Sequence, residues 1–354
     1  MRTGIVFGLF LAVVSSAAHA QYNGVDPYEE FGKRLNAAQQ VTPLTSTLFG
    51  DNVSLYNGAT EFGVTDVDIP GNNVLPVQLR RRLVIEDRRA DPGSSLAGFG
   101  DWDIDIPYIV ATVITQNGWQ LNQSSGYSYN RCSDNVDWPN MEVFIPITSS
   151  VGDAPYGQVW GGNRMHVPGG VDQELLANTQ AASPAYALRQ TYPWVTSGNY
   201  RVSCMATAQN GLAGEAFVAT SPSGVRYTFD WAVTRQAPLL AWQYSTTAKP
   251  FAVGRTNVYL LVTRAQDRFG NWVNYSYTGD QLTQITSSDG RTITLTWSGS
   301  TITSVTSALG TWSYTYVTGS NGKPQLSAVT RPDGSQWTYA VTSGTLVTTK
   351  NDPD

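Results

Sequence analysis

The sequence predicts an all-β fold, with a β-rich N-terminal region followed by stacked β-hairpin repeats that form a curved, open sheet. The first observation is composition. Charged residues make up only 14% of the 354 residues, while aromatic residues and 33 Gly and 18 Pro supply strand and turn material. The second observation is a period. Gly270, Gly290 and Gly310 recur at one constant interval, and Gly334 follows after a slightly longer one, so the C-terminal part is predicted to be a repeat array.

Residues 1–20 have the pattern of a secretory signal peptide. Arg2 gives a positive start, residues 5–14 form an apolar run, and Ala18-His19-Ala20 is a small-x-small cleavage site. The apolar run is shorter than the roughly 20 residues that span a bilayer, and no later segment is predicted to be transmembrane. We therefore expect cleavage after Ala20 and a product that is secreted or held at the cell surface.

Residues 21–50 are predicted to be a lead-in with a short helix over residues 26–40, which Asp26 would cap. Residues 51–220 are predicted to be a β-rich region. Its strand candidates are residues 64–69, 77–85, 101–106 and 143–147. The stretch from 116 to 220 is rich in Gly, Asn, Pro, Tyr and Trp, which predicts short strands joined by many loops.

Cys132 and Cys204 are the only two cysteines of the chain. In an exported protein, an even pair favours a disulfide, which would stabilise the loop-rich region by about 4 kcal/mol in the chain-entropy model. Two free buried thiols are the alternative. A metal site is not predicted, because His166 is the one histidine after Ala20 and the two cysteines are far apart in sequence.

Residues 221–354 are predicted to be β-hairpin repeats, each with two strands and two turns. Ile285, Val305 and Val329 repeat the spacings of the glycines, including the one longer interval at the end. A single unit of this size cannot bury a face alone, so each hairpin must stack on its neighbours.

These hairpins resemble the RHS/YD-repeat family. The residues that carry the resemblance are Asp267-Arg-Phe-Gly-Asn271 followed by Tyr275-Ser-Tyr277, Asp289-Gly-Arg291 with Trp297, and Pro332-Asp-Gly334 with Tyr339. Upstream, Ser221-Pro-Ser-Gly-Val-Arg-Tyr-Thr-Phe-Asp230 is similar to the family's entry unit. Residues 65–71, Leu75-Pro76 and the strand at Arg80–Leu83 are similar to the segment that opens many such proteins.

The resemblance implies a secreted or cell-surface bacterial protein whose β-strand units spiral into a hollow shell, which in the family often encloses a C-terminal toxin. With four to five units ending at Asp354, the chain is expected to be a short or truncated member, or one whose last strand pairs with another polypeptide. The expected partners are further RHS repeats or an effector polypeptide at the C-terminal edge.

The function that follows is structural: part of an exported RHS-type shell, used in cell-surface contact or toxin delivery, and not an enzyme. A glycan-binding surface module is the alternative, with a cell-surface glycan as partner, and a secreted polysaccharide hydrolase is a remote one. The net charge of −5 speaks against nucleic acid, which needs a basic surface. No catalytic, cofactor-binding or metal-binding residue is predicted.

Two charged groups invite a sharper interpretation. The first is the acidic triplet Asp101, Asp103 and Asp105, which lies on one face of a strand candidate, opposite Trp102, Ile104 and Ile106. The triplet either binds Ca²⁺ or forms a solvated acidic face. The sequence does not fit the Ca²⁺-binding EF-hand loop, because Ile106 replaces the required Gly and Thr112 replaces the required Glu. The solvated face is preferred. The second group is a basic cluster formed by Arg80–Arg82, Arg88 and Arg89. It either contacts an acidic glycan or a membrane surface, or it pairs with the nearby Glu86, Asp87 and Asp91. Pairing with these carboxylates is the preferred interpretation.

Aromatic residues and His166 are the remaining candidates. The array aromatics are predicted to form the stacked core rather than a sugar platform, because they recur with the unit period: Tyr275, Tyr277, Trp297, Tyr314, Tyr316 and Tyr339. Exposed Trp residues between 116 and 200 are the better glycan candidates. His166 has no partner that the sequence can assign, which makes a catalytic role weakly supported.

Overall fold

The computed structural model describes residues 51–53, 60–85, 96–123, 126–170, 172–178, 191–247, 249–320, 322–342 and 345–351. The predicted signal peptide and the helix at 26–40 lie outside these residues. The predicted all-β class is confirmed: most of the described residues belong to one large mixed sheet, accompanied by two small two-stranded sheets. A short helix, α1 (Tyr156–Val159), is present. Within the described ranges, no helix is long and apolar enough to cross a membrane.

The N-terminal strands are short and numerous, as the turn-rich composition predicts. They are β1 (Asp51–Val53), β2 (Thr60–Ile69), β3 (Val77–Ile85), β4 (Gly98–Phe99), β5 (Trp102–Ile104), β6 (Tyr108–Ile114), β7 (Leu121–Gln123), β8 (Gly126–Ser128), β9 (Glu142–Ile145), β10 (Ser150–Asp153), β11 (Arg164–His166), β12 (Gln173–Glu174), β13 (Leu176–Ala177), β14 (Trp194–Val195), β15 (Arg201–Met205) and β16 (Ala216–Thr220). The strand expected over 77–85 is confirmed in full, whereas only residues 102–104 of the candidate 101–106 form a strand.

A long antiparallel hairpin connects these strands to the array. Its strands, β17 (Arg226–Trp242) and β18 (Phe251–Gln266), have 17 and 16 residues. β16 pairs with β17, while β18 pairs with both β6 and the first strand of the array. The sequence predicted only the first few residues of β17 as a strand. This hairpin, which was not predicted, therefore joins the N-terminal strands to the array within one sheet.

The array consists of four hairpins at the predicted positions. Their strands are β19 (Trp272–Thr278), β20 (Gln281–Ser287), β21 (Thr292–Ser298), β22 (Thr301–Ser307), β23 (Gly310–Thr318), β24 (Pro324–Thr330), β25 (Gln336–Thr342) and β26 (Thr345–Asn351). All neighbours are antiparallel. The glycines that set the period lie at the turns between hairpins with φ of +84° to +119°, a backbone region open to glycine at little cost.

A β-bulge recurs in the first three hairpins. In each, one residue of the second strand has no cross-strand partner in the ladder, and these residues are Thr283, Thr303 and Ser327. Each one donates its hydroxyl hydrogen to a backbone carbonyl of the facing strand, at Ser276, Thr296 or Thr315, over 3.0–3.2 Å. Bulges bend a strand and increase its twist, so their repetition gives the array a regular curvature.

The main hydrophobic core lies between the array and the N-terminal strands. Val67, Leu79 and Trp102 from the N-terminal region share this core with Ile285, Val305 and other apolar residues of the array. A second core lies under β16–β18 around Trp119 and Phe217. The array thus buries one face against an N-terminal cover, in addition to the contacts between hairpins.

Candidate functional site

Most of the charged residues singled out by the sequence converge around β3. In β3, Arg81 lies on the same face as Val77 and Leu79, and its side chain is completely buried. Arg80 and Arg82 lie on the opposite face, as alternation along a strand requires. We call the two groups of contacts around them the Arg81 cluster and the His166 cluster.

The Arg81 cluster ties β2 and β3 to the last two array hairpins. The Arg81 Nε atom donates to Asp66 at 2.8 Å, and an Nη atom donates to the Tyr339 hydroxyl at 2.5 Å. Tyr314 also donates to Asp66, at 3.0 Å. Asp66 is the bulged residue of β2, opposite the Arg80–Leu79 step of β3. The bulge turns this carboxylate inward, where it meets the guanidinium.

Aromatic rings enclose the Arg81 guanidinium. Its Cζ atom lies 4.6 Å from the ring centre of Trp102 and 5.0 Å from that of Tyr339. Burial lowers the pKa of Arg81, but the charge of Asp66 and the bonds to Asp66 and Tyr339 outweigh it and raise the pKa above its usual range. Arg81 therefore remains a cation inside the core, stabilised by a carboxylate and two ring faces.

The His166 cluster lies on the other face of β3. The Nε2 atom of His166 is 2.6 Å from Asp105 Oδ1, and Nδ1 is 2.8 Å from Asp172 Oδ1. Arg82 donates to the Tyr108 hydroxyl and also approaches His166. Asp105 additionally accepts a hydrogen bond from Arg80 at 3.0 Å. His166 thus has two carboxylate partners, one from the segment between β5 and β6 and one from just after β11, and the sequence assigned it none.

Opposing effects set the protonation of this cluster. Burial and the charge of Arg82 lower the pKa of His166, but the hydrogen bonds to Asp105 and Asp172 prevail and raise it. For Asp105, burial raises the pKa, while His166, Arg82 and Arg80 together lower it to about 2. The same balance holds the pKa of Asp172 well below its usual range. A charged imidazole between two carboxylates is the arrangement that these shifts favour.

The interpretation of residues 101–105 as a solvated acidic face is wrong. Asp103 and Asp105 are buried, because β5 lies between β3 and β4 rather than at the surface. Each carboxylate of the triplet has a different protein partner: Asp101 accepts from the Leu326 amide, and Asp103 from the Ala97 amide. Within the described residues, no group of three His, Cys, Asp or Glu side chains is arranged to hold a metal ion.

The three arginines of β3 have carboxylate partners that the sequence did not predict. Arg80 pairs with Asp105, Arg81 with Asp66, and Arg82 lies 3.7 Å from Asp172. Arg88 and Arg89, and the carboxylates Glu86, Asp87 and Asp91, lie outside the described residues. The predicted pairing with these three carboxylates therefore stays a prediction, while the partners seen in the described residues come from segments packed against β3.

A further arginine clamps the turn between β2 and β3 to the second hairpin. Arg291 donates to the carbonyl of Ile69 at 2.9 Å, and to Asn73 and the carbonyl of Leu75 at 3.3 Å. Asp289 orients it through a 2.8 Å ion pair. A Cβ atom at Gly71 would lie 2.2 Å from Arg291 Cζ, so glycine lets the guanidinium approach this turn. The clamp therefore joins two segments that are more than 200 residues apart in sequence.

The six array aromatics lie where the core interpretation predicts. Tyr314 and Tyr339 are buried in the main core, and the other four pack against it. Three of them also bond to the preceding hairpin strand: Tyr277 donates to the Val262 carbonyl at 2.6 Å, Trp297 to Leu282 at 2.7 Å and Tyr316 to Ile302 at 2.5 Å. We call these three bonds the aromatic ladder. It links successive units with the period of the repeat.

The disulfide between Cys132 and Cys204 is present, with 5.5 Å between the two Cα atoms. It ties the loop after β8 to β15 and lies in the second core with Trp119 and Trp194. Those two Trp residues are buried, which removes them as glycan candidates. Of the Trp residues between 116 and 200, Trp138 has the largest exposed fraction, 42%.

An open groove beside β17, β18 and β19 was not predicted. It has a volume of about 560 Å³ and is lined by side chains of β17, β18, β19 and the loop after β15, among them Gln209, Asp230, Trp231, Arg264, Asn274 and Tyr277. Asp230 is buried, where its two oxygens accept from Thr263 at 2.6 Å and Gln209 at 2.8 Å. We call this feature the Trp231 groove.

Comparisons with known proteins give little guidance. No family model matches the chain, and no curated protein matches it. Among solved structures, a porin-like protein from Bacteroides uniformis aligns at 9% identity over 73% of this chain and 95% of that one, with a TM-score of 0.17. A TM-score of this size carries no information about the fold or the function of this chain.

Proposed function

We propose that the chain is a non-catalytic structural module of an exported, RHS-type repeat scaffold, which acts in cell-surface contact or in effector delivery. The observation that carries this proposal is how the buried and half-buried charged residues are used. Arg81, Arg291 and His166 each have partners from separate strands or turns. Their side chains hold strands together, and none of the three faces the open groove.

The regular geometry of the array supports the same proposal. Four antiparallel hairpins follow one another, with a bulge and an aromatic bond recurring at the repeat spacing in the first three. Repeat stacks of this kind extend by adding further units to an edge. Within the described residues, β26 pairs with β25 alone, and strands of this kind can accept a partner strand. The proposed partner is a polypeptide with further repeats or an effector.

The test is co-expression of the chain with the product of the adjacent downstream reading frame, followed by affinity isolation. A stoichiometric complex is expected if that frame encodes further repeats or an effector. Two neighbouring substitutions, Thr348→Pro and Thr349→Pro, sharpen the test. Successive amides of a strand point to opposite sides, and proline removes the amide hydrogen. One variant should lose pairing with β25, and the other should fold normally but lose the complex.

Two outcomes would contradict the scaffold. The first is a stable monomer that binds no adjacent gene product and lacks repeat-encoding neighbours. The second is a complex that survives both proline substitutions, which would place the contact elsewhere on the molecule.

A further inference from the structure

We propose that the Trp231 groove is a binding site for a neutral oligosaccharide. The groove lies beside an irregularity of the β17–β18 ladder, where Phe229 pairs with Val262 and Trp231 with Leu261. Asp230 and Thr263 are the residues that this irregularity leaves without ladder partners, and they bond to each other at 2.6 Å. Bulges of this kind re-aim side chains next to binding sites.

The aromatic floor of the groove is rigid. The rings of Trp231 and Tyr277 stack with their centres 5.5 Å apart and an angle of 18° between their planes. Trp231 Nε1 donates to the Gly279 carbonyl at 2.9 Å, and the Tyr277 hydroxyl donates to Val262. Both polar ends are therefore held by the backbone. A flat, fixed indole offers a π face to the C–H groups on one side of a pyranose ring at little entropic cost.

Polar groups surround this floor. Arg264 donates to Asn274 Oδ1 at 3.2 Å, which leaves the amide NH₂ of Asn274 as a donor at the groove. Ser276 is exposed there, and Gln209 lies at the opposite wall, oriented by its bond to Asp230. A few fixed donors and acceptors beside an aromatic surface, in a volume of several hundred Å³, suit a small polar ligand with apolar faces.

The charge of the groove favours a neutral ligand. The charged groups among its lining residues are Arg264 and Asp230, one of each sign. Asp230 is buried and bonded at both oxygens, while Arg264 is engaged by Gln266 and Asn274 and lies 5.2 Å from the Trp272 ring centre. A phosphate or a uronate would need an uncommitted cation. A neutral sugar needs only hydroxyl partners and a ring face.

Calorimetric titration of the full chain tests this inference. The probes are cellotriose, chitotriose and maltotriose as neutral sugars, and trigalacturonate as an acidic one. We expect saturable binding of at least one neutral sugar with Kd between about 10 µM and 1 mM, a range common for small ligands with few contacts. Trp231→Ala should weaken it at least about tenfold, whereas Trp231→Phe, which keeps a flat ring, should weaken it by about threefold or less.

Two further variants keep the test decisive. Asn274→Ala removes a groove donor without touching the core, so it tests the site even if Trp231→Ala fails to fold. Phe269→Ala removes an aromatic ring that is 74% exposed and outside the groove, and it should leave the affinity unchanged. The proposal is overturned if no neutral sugar saturates, if trigalacturonate is preferred, or if the groove variants bind as well as the original chain. None of these readouts involves edge pairing, so their failure leaves the scaffold proposal intact.

Discussion

Arg81 shows how a single buried charge can organise two distant parts of this chain. Its partners Asp66 and Tyr339 lie 15 residues before it and 258 after it. A guanidinium with no exposed surface is tolerated only where a carboxylate and additional hydrogen bonds replace water. At this position a hydrophobic β-strand pattern would have suggested Leu or Val, so the arginine marks the point where the N-terminal cover is joined to the array.

Replacing Arg81 should therefore be strongly destabilising. We expect Arg81→Ala to lower the free energy of unfolding by about 3–5 kcal/mol, because it leaves the buried Asp66 carboxylate without its cation. Urea denaturation followed by Trp fluorescence measures this. Arg235→Ala is the matched control, since Arg235 pairs with Asp280 at 2.8 Å, and the Asp280 side chain is 55% exposed; it should cost about 0.5 kcal/mol or less. Equal effects of the two substitutions would contradict this role of Arg81.

His166 should make stability depend on pH. Its raised pKa means that the charged imidazole contributes fully below the unfolded value of about 6.5 and that this contribution is lost as pH rises through the folded pKa. Asp105 acts in the opposite direction. With its pKa lowered to about 2, its contribution is present above the unfolded value of about 4 and is lost as pH falls through about 2. The remaining groups that face the imidazole are Asp172, Arg82 and Tyr108.

The prediction is a melting temperature that falls as pH rises above about 6.5 in the original chain and that depends less on pH in His166→Gln. Thermal unfolding at several pH values measures it. After Ala20, His166 is the single histidine, so its imidazole NMR signals report the folded pKa directly. The charged state of His166 would be contradicted if the melting temperature changed with pH in the same way in both proteins, or if the measured pKa of His166 were below the usual value.

These residue contacts could not be predicted from the sequence. The three arginines and the acid triplet were recognised as unusual, but their partners were sought in neighbouring segments or in solvent. Asp66 was missed because nothing local distinguishes a bulged Asp from any other polar residue in a strand, and Asp172 was missed because it lies in a short connection between two strands. The one available signal was Arg81, which interrupts the apolar face of β3 and therefore implied a buried counter-charge.

At the scale of elements, the aromatic ladder explains why each of the first three hairpins has a Tyr or Trp at one equivalent position. Tyr277, Trp297 and Tyr316 come directly after the bulged step of their strands, and each polar ring atom reaches a carbonyl of the preceding unit. An aliphatic side chain could fill part of the same space, but it could not donate a hydrogen bond to that carbonyl. The ladder is thus a periodic contact between units.

Removing one bond of the aromatic ladder should lower the free energy of unfolding by a small amount that is similar from one hairpin to the next. Tyr277→Phe and Tyr316→Phe each delete a hydroxyl and keep the ring, so each should lower the free energy of unfolding by about 1 kcal/mol. Thr294→Ser, at an exposed position of β21, is a control that should change stability by less than about 0.5 kcal/mol. Urea denaturation of the three variants measures the differences. A loss confined to one of the two tyrosines would argue against equivalent units.

The hairpins could be predicted because their signals are local. Turn glycines, alternating apolar residues and the landmarks of the period all lie within one repeat unit or in adjacent ones. The long β17–β18 hairpin could not, because its pattern is broken by Asp230 and Pro238 and its partner β6 is distant in sequence. The Trp231 groove was missed for the same reason, since it forms where that hairpin, the loop after β15 and β19 meet.

At the scale of the whole molecule, the main core joins the two parts of the chain. Trp102 and Leu79 from the N-terminal strands are buried together with Ile285, Val305 and Tyr339 of the array. A stack of repeats buries each unit against its neighbours, but here one face of the array is also covered by β2, β3 and β5. We therefore expect the cover and the array to unfold together rather than as independent units.

The Arg291 clamp tests this coupling, since it joins the β2–β3 turn to the second hairpin, two segments that are far apart in sequence. Arg291→Ala should lower stability by about 1.5–3 kcal/mol, because several bonds to a charged donor are lost and Asp289 is left without its cation. In hydrogen exchange, amides of β2, β3, β21 and β22 should lose protection together along the whole length of these strands, including amides far from the β2–β3 turn that Arg291 contacts. Arg268→Ala, in the corresponding turn one hairpin earlier, is the control; Arg268 is exposed and lies over the exposed Phe269 ring, so protection should not change. If Arg291→Ala loosens the second hairpin and leaves β2 and β3 protected, the cover and the array are separate folding units, and the shared core does not couple them.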